Sequence, residues 1–201
     1  MTIDRIFIIS LERRIDERFK RIYNEISSQG LAHLVSLIIA TDGQDLPPSL
    51  AEKETGWDLR PGERGCFGSH RRCWIQVLAL NCSNALVLED DVDCSNLASV
   101  IKEIENVPYD SYSIAAFGNR DMRETADGTF VEDKTKDLSG AWGCAAYTIT
   151  PTAAKAFLKG CTTSFPKPVD WYMITHPVVQ QHVAIPALLP IKWDGITDSS
   201  T

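Results

Sequence analysis

Asn84-Ala85-Leu86-Val87-Leu88-Glu89-Asp90-Asp91-Val92-Asp93 joins an apolar run to four acids packed within five residues. A short apolar run bounded by polar residues suits a buried strand. Carboxylates crowded at the end of a strand repel one another. A divalent cation among them relieves that repulsion, because hard cations take carboxylate oxygens as ligands. Two overlapping acid-x-acid patterns are present, Glu89-x-Asp91 and Asp91-x-Asp93. The competing reading of the decapeptide is a solvated acidic turn.

Working outward, residues 4–10 form an expected first strand, and Arg13 to Ser28 an expected helix. Ile15, Phe19, Ile22 and Ile26 fall at helical spacing along it, and Gly30 suits the position just past its end. Residues 34–40 read as a second strand, with Thr41-Asp42-Gly43 opening a long loop that contains Pro47-Pro48. A helix is expected from Glu63 to about Asn81, with Cys66, Cys73, Trp74, Val77 and Leu78 on its apolar side. The acidic strand, 84–88, follows. Residues 95–106 suit a short helix and 112–117 a further strand.

Residues 118–139 are polar, with Asp127-Gly128 as a turn signal, and read as a flap or small hairpin. Residues 144–149 read as a strand. Thr150 and Pro151 then mark a helix that runs to Leu158 and stops at Gly160. Beyond residue 190 few residues apart from Trp193 and Ile196 offer packing surface, so the tail is expected to order on ligand binding.

Strands alternating with helices predict one α/β domain over 1–201, with a mainly parallel sheet flanked by helices. Ligands on such sheets bind beyond the carboxyl ends of the strands. Ser10 to Arg14, Thr41 to Gly43 and Glu89 to Asp93 all fall there. No GxGxxG and no P-loop pattern accompanies them.

Composition narrows the partners. The formal charge of −7 argues against nucleic acid or an anionic membrane as a general partner. No stretch approaches the roughly 20 apolar residues of a membrane span. The apolar start Ile6-Phe7-Ile8-Ile9 is too short for a secretion signal, so a cytoplasmic location is expected. Six cysteines, none in a CxxC pair, are then expected to be reduced and packed as small apolar residues. Cys66 and Cys73, seven apart on one helix face, fit that role.

Four segments in order, with a further short element after them, resemble one family. They are Ile6 to Arg14 followed by Arg18; Gly62-Glu63-Arg64-Gly65-Cys66-Phe67-Gly68-Ser69-His70; Leu86 to Val92; Gly140-Ala141-Trp142-Gly143 with Tyr147 to Pro151 and Ala153-Ala154; and Pro168-Val169-Asp170. Together they resemble glycosyltransferase family 25, the lipooligosaccharide galactosyltransferases of lipopolysaccharide biosynthesis and their collagen galactosyltransferase relatives. Ser10 departs from the pattern, which has Asn there. The resemblance implies a GT-A type, Rossmann-like fold, a UDP-sugar donor, a divalent metal such as Mn2+ or Mg2+, and inversion at the anomeric carbon. A glycan acceptor is implied too, and lipid linkage of that acceptor would bring a peripheral membrane contact.

Inverting transfer must neutralise a departing diphosphate and deprotonate an acceptor hydroxyl. Asp91 is the leading metal ligand, with Glu89 and Asp93 as alternates. Asp90 is placed with the catalytic residues, touching ribose or sugar; the alternative is a cap on the helix near Ser95. Asp170 is the candidate general base, against a capping role for a helix over 171–175. Ser10, Arg13, Arg18, Asp42, His70 and Trp142 are assigned to the donor, arginine because it suits bidentate phosphate contacts. For Arg13, Arg14 and Arg18 the alternative is a solvated helix face; for His70 it is a structural role. Gly62 and Gly65 are expected to permit tight helix entry and close approach to the donor, and Gly140 and Gly143 to frame the sugar. His176 and His182 are candidate late metal ligands.

Two rivals stand beside transfer: a Mg2+-dependent nucleotidyltransferase, and a non-catalytic sugar- or partner-binding domain. A Ser-His-Asp hydrolase is disfavoured, because Ser69 and His70 are adjacent and no G-x-S-x-G elbow is present.

Overall fold

The computed structural model describes residues 2–50, 58–104, 111–117, 122–124, 130–132, 142–179, 181–183 and 188–191. Its strands are β1 (Arg5–Ser10), β2 (Val35–Ile39), β3 (Ala85–Glu89), β4 (Ser111–Phe117), β5 (Met122–Glu124), β6 (Phe130–Glu132), β7 (Trp142–Ile149) and β8 (Gln181–Val183). Its α-helices are α1 (Lys20–Ser27), α2 (Pro61–Ala79), α3 (Leu97–Ile104), α4 (Pro151–Gly160) and α5 (Val169–Ile174).

Six strands form one sheet in the order β2-β1-β3-β7-β4-β8, and β5 and β6 pair as a separate hairpin. The sheet is mainly parallel, as expected: β1 runs parallel to β2 and β3, and β4 parallel to β8. Only β7, between β3 and β4, runs the other way. That reversal places the start of β7 at the sheet edge where β1, β2 and β3 end, so Gly143 and Cys144 reach the same edge as Glu89.

Strand alternation divides the core. Phe7, Ile9, Ala85 and Val87 face α2, α4 and α5, with Phe67, Trp74, Tyr147 and Phe157. Ile6, Ile8, Leu86 and Leu88 face α1 and α3, with Ile22, Ile26, Leu97 and Ile101. Each strand is thus apolar on both sides, as a sheet covered by helices on both faces requires.

The expected helix from Arg13 divides into three parts. A 3-10 turn covers Glu12–Arg14, a π-helical stretch Ile15–Phe19, and the α-helix begins only at Lys20. Gly30 has φ +78, the left-handed conformation expected just past a helix end. At α4 the expected cap is present: Thr150 Oγ1 accepts from Ala153 N–H at 3.2 Å, with Pro151 first in the helix. The hairpin β5–β6 falls within the expected flap, whose Asp127-Gly128 turn lies outside the described residues, as do Gly140, Trp193 and Ile196.

Candidate active site

The same alternation sends successive acids to opposite faces. Ile9 is in register with Glu89. Glu89 continues the Ala85–Val87 phase toward α2. Asp90 continues the Leu86–Leu88 phase toward α1, where Ser10 lies.

On the α1 side, Ser10 Oγ–H donates to Asp90 Oδ2 at 2.5 Å, and Arg18 Nη1 lies 3.4 Å from Asp90 Oδ1. Burial pushes the Asp90 carboxyl up; Ser10 and Arg18 act against that shift. Asp90 is therefore tied into the protein and does not cap the helix at Leu97. Asp93 makes a local turn just before that helix: its Oδ1 accepts from Ser95 N–H at 2.9 Å. Asp91 differs from both. Its Oδ1 is shielded from solvent and has no hydrogen-bond partner among the described residues. Burial first, then the charges of Glu89 and Asp90, push its pKa up to about 7. A buried, unpartnered carboxylate oxygen among acids fits a hard cation.

The loop carrying these acids is held by its backbone. Arg21, Glu25 and Gln29, spaced four apart on α1 and just beyond it, face it in a row. Arg21 donates to the carbonyls of Asp90 at 2.7 Å and Val92 at 3.2 Å. Glu25 Oε2 accepts from Cys94 N–H at 3.0 Å. Gln29 donates to Cys94 O at 2.7 Å and accepts from Ala98 N–H at 2.8 Å. From the other side, Asp93 N–H donates to Pro190 O at 2.8 Å, and Val92 bridges to Ile191. None of these partners was singled out in the sequence; the signal was a polar stripe at helical spacing on α1.

On the α2 side, His70 is fully buried and Glu89 partly so. His70 Nε2 lies 3.0 Å from Glu89 Oε1 and 3.2 Å from Cys144 Sγ. Cys66 Sγ and Cys144 Sγ approach the same Glu89 oxygen at 3.9 and 3.8 Å. Behind the imidazole, Nδ1 lies 2.9 Å from Tyr147 Oη, which also accepts from Trp74 Nε1–H at 3.0 Å. Burial alone would lower the His70 pKa; Cys66 and Glu89 override it and raise it to about 10. The Cys66 thiol is pushed down, chiefly by hydrogen bonding from Cys144, whose own thiol is pushed up in return.

The motif around α2 thus has two jobs. Cys66 and His70 face the strand end. Gly65 and Ser69, one residue earlier in each case, hold the loop after β2: Thr41 N–H donates to Ser69 Oγ at 2.9 Å, and a Cβ on Gly65 would sit 2.7 Å from Gly43 N and Thr41 O. Gly65 therefore lets α2 approach that loop closely. Cys66 packs against the core, as expected, and has polar neighbours as well. Cys73 is buried in the core, whereas Cys66 is half-buried against Glu89. All six cysteines are thiols, as expected.

Arg13 and Asp42 pair with each other across the ends of β1 and β2 at 2.8 Å, both well exposed. Asp170 lies in the first turn of α5, whose N-cap is Pro168, so it is not the capping residue. Its Oδ2 accepts from Gly143 N–H at 3.0 Å and its Oδ1 from Trp171 N–H at 2.9 Å, tying α5 to the start of β7. Its charge reaches Cys144. His176 packs edge-on against Phe157 and Tyr172, with ring centroids 5.2 and 5.5 Å apart. Trp142 opens β7 and His182 lies in β8; their side chains are outside the described part. No helix among the described residues is long and apolar enough to cross a membrane.

Comparison with known proteins agrees with this layout. The crystal structure of HddC from Yersinia pseudotuberculosis complexed with GMP-PN superposes with a TM-score of 0.54 at 10% identity, covering 98% of this chain and 96% of that one. At that identity the likeness is one of fold. A glycosyltransferase 25 family member of Aedes aegypti is 27% identical over 191 residues, 86% of this chain. Inactive glycosyltransferase 25 family member 3 of Homo sapiens is 38% identical over 98 residues, 44% of this chain and 16% of its own length. Procollagen galactosyltransferase 1 of Danio rerio is 32% identical over 104 residues, 46% of this chain. The chain spans 31% of the Aedes protein and 17% of the Danio one. The family described as glycosyltransferase family 25 (LPS biosynthesis protein) matches residues 3–173, and the chain belongs to it.

Proposed function

We propose that this domain is a metal-dependent, inverting glycosyltransferase working in the cytoplasm, moving a hexose, galactose first among the candidates, from a UDP-sugar to a hydroxyl of a glycan acceptor. The observation that carries this reading is Asp91, whose shielded Oδ1 has no partner among the described residues at the edge where the parallel strands end. Asp91 and Asp93 would hold Mn2+ or Mg2+, with Glu89 turned to His70. When bound, such an ion supplies Lewis acidity to the leaving diphosphate.

The chain's own residues do the rest. Arg18 brings positive charge beside Asp90, which contacts ribose or sugar. Ser10 fixes that carboxylate. The Arg13–Asp42 pair lies at the rim, where opening it would free a guanidinium for phosphate. Asp170 takes the proton from the acceptor hydroxyl, its two oxygens already oriented by the amides of Gly143 and Trp171.

Titration calorimetry with UDP, with and without Mn2+, tests the donor half. Metal-dependent UDP binding that Asp91→Asn removes is the expected result; no UDP binding under either condition would refute it. UDP release with mixed acceptors tests the transfer half. There Asp170→Asn lowers kcat by about 100-fold or more while UDP still binds. A second reading, a non-catalytic domain that kept the fold, is favoured by the name "inactive" carried by mammalian relatives. UDP binding without turnover on any donor would select it.

A further inference from the structure

We propose that Cys66, His70, Glu89 and Cys144 form a structural Zn2+ site, separate from the acids that face the donor. The side chains come from three elements: Cys66 and His70 from adjacent turns of α2, Glu89 from the end of β3, and Cys144 from the start of β7. Their four ligand atoms all lie within 4.8 Å of one another. Four of the six pairs are 3.0, 3.2, 3.8 and 3.9 Å apart. A tetrahedral zinc with bonds of 2.0–2.3 Å needs ligand atoms about 3.3–3.8 Å apart. Small adjustments bring the four to those spacings.

Hydrogen bonding alone serves this cluster poorly. One Glu89 oxygen has His70 at 3.0 Å and the two thiols only at 3.8 and 3.9 Å, sulfur contacts that are long and weak. A cation at the centre gives each atom its own bond. The support behind the cluster is already built. With Nδ1–H donating to Tyr147 Oη, the Nε2 atom is the one turned to the centre. Tyr147 is held in turn by Trp74. Histidines that bind metals are oriented through their second nitrogen in this way.

The donor set selects the metal. Two sulfurs and an imidazole suit zinc and exclude magnesium or manganese, which prefer oxygen. Four protein ligands leave no open position, so the site is structural and not catalytic. Entry is available past Glu89, whose side chain is 28% exposed. Bound zinc would pin α2, β3 and β7 at the edge where the donor acids begin.

Metal analysis of the full chain, purified without chelator, should give about one zinc per chain. Replacing it with Co2+ should give sulfur-to-cobalt charge-transfer bands and the strong visible absorption of a tetrahedral ion. Cys66→Ala and Cys144→Ala should each weaken those bands and lower cobalt affinity at least about tenfold, since loss of even an outer partner costs that much. Asp91→Asn should leave the bands unchanged. If the cysteine variants do not fold, the wild-type cobalt spectrum decides alone. Absence of sulfur-to-cobalt bands in wild type overturns the proposal. So does their loss in Asp91→Asn, or a thiol count in denaturant showing Cys66 and Cys144 joined as a disulfide.

Discussion

Two corners of one strand end differ in almost every physical property, though Glu89 and Asp90 are adjacent in sequence. The α2 corner is lined by sulfur, imidazole and aromatic side chains, and its acid already has partners. The α1 corner presents carboxylates, the Ser10 hydroxyl and guanidinium groups, and one of its acids, Asp91, has an oxygen without a partner among the described residues. The cause is the two-residue period of the strand. An apolar core that alternates faces along Ala85–Leu88 continues to alternate when the sequence turns acidic, so an acid cluster becomes two environments. Proximity in sequence is therefore a poor guide to shared chemistry here.

The largest expected effect breaks the pair on the α1 side. Asp91→Asn should lower kcat for UDP release by at least about 100-fold, the size of a lost interaction worth several kcal/mol in the transition state. Thermal stability in the absence of metal should not fall. Comparable activity in the variant would remove Asp91 from the site.

Tyr147→Phe strikes the other corner. It strips the acceptor from Trp74 Nε1–H and His70 Nδ1–H, and each buried unsatisfied donor costs about 1–3 kcal/mol. Urea unfolding should show a loss of about 3 kcal/mol at unchanged m-value. A loss under about 0.5 kcal/mol would mean that the hydroxyl does not hold the imidazole. Ser10→Ala is the matching change beside Asp90. It removes one hydrogen bond to a buried carboxylate and should cost about 2 kcal/mol by the same measurement.

The pH dependence sharpens the comparison further. The unfolded chain releases the Asp91 proton near pH 4, the folded chain only near pH 7. Between those values the folded state binds the extra proton, so this residue's contribution to stability falls as pH rises through the window and stays constant above it. Melting curves in chelator should show Asp91→Asn gaining on wild type from pH 4 to pH 7. Parallel curves would refute the shift. The smallest effect belongs to Arg13→Ala. Its partner Asp42 is exposed, and exposed pairs contribute little. The melting temperature should barely move, and a rise in KM for the donor would mark Arg13 as a phosphate contact.

Much of the fold was legible because its signals are local. The apolar runs Ile6–Ile9 and Ala85–Leu88 marked two core strands, and Thr150-Pro151 marked the start of α4. The acids after Leu88 marked the edge of the sheet that matters. What escaped was non-local. Nothing in residues 142–149 says that β7 runs against its neighbours, and that reversal is what delivers Cys144, more than 50 residues from Glu89. The pair Cys66-x-x-x-His70 was visible at helical spacing, but its partner was not, so packing was the natural reading of Cys66. The π-helical stretch Ile15–Phe19 hid behind an unbroken apolar period.

The stripe Arg21, Glu25 and Gln29 has a consequence for descent. Its hydrogen bonds reach carbonyls and amides of residues 90–98. This part of the hold on the segment passes through its backbone and does not depend on which side chains project from it. A lineage could trade acids away, lose the chemistry, and still inherit these backbone bonds as the footing for a new surface.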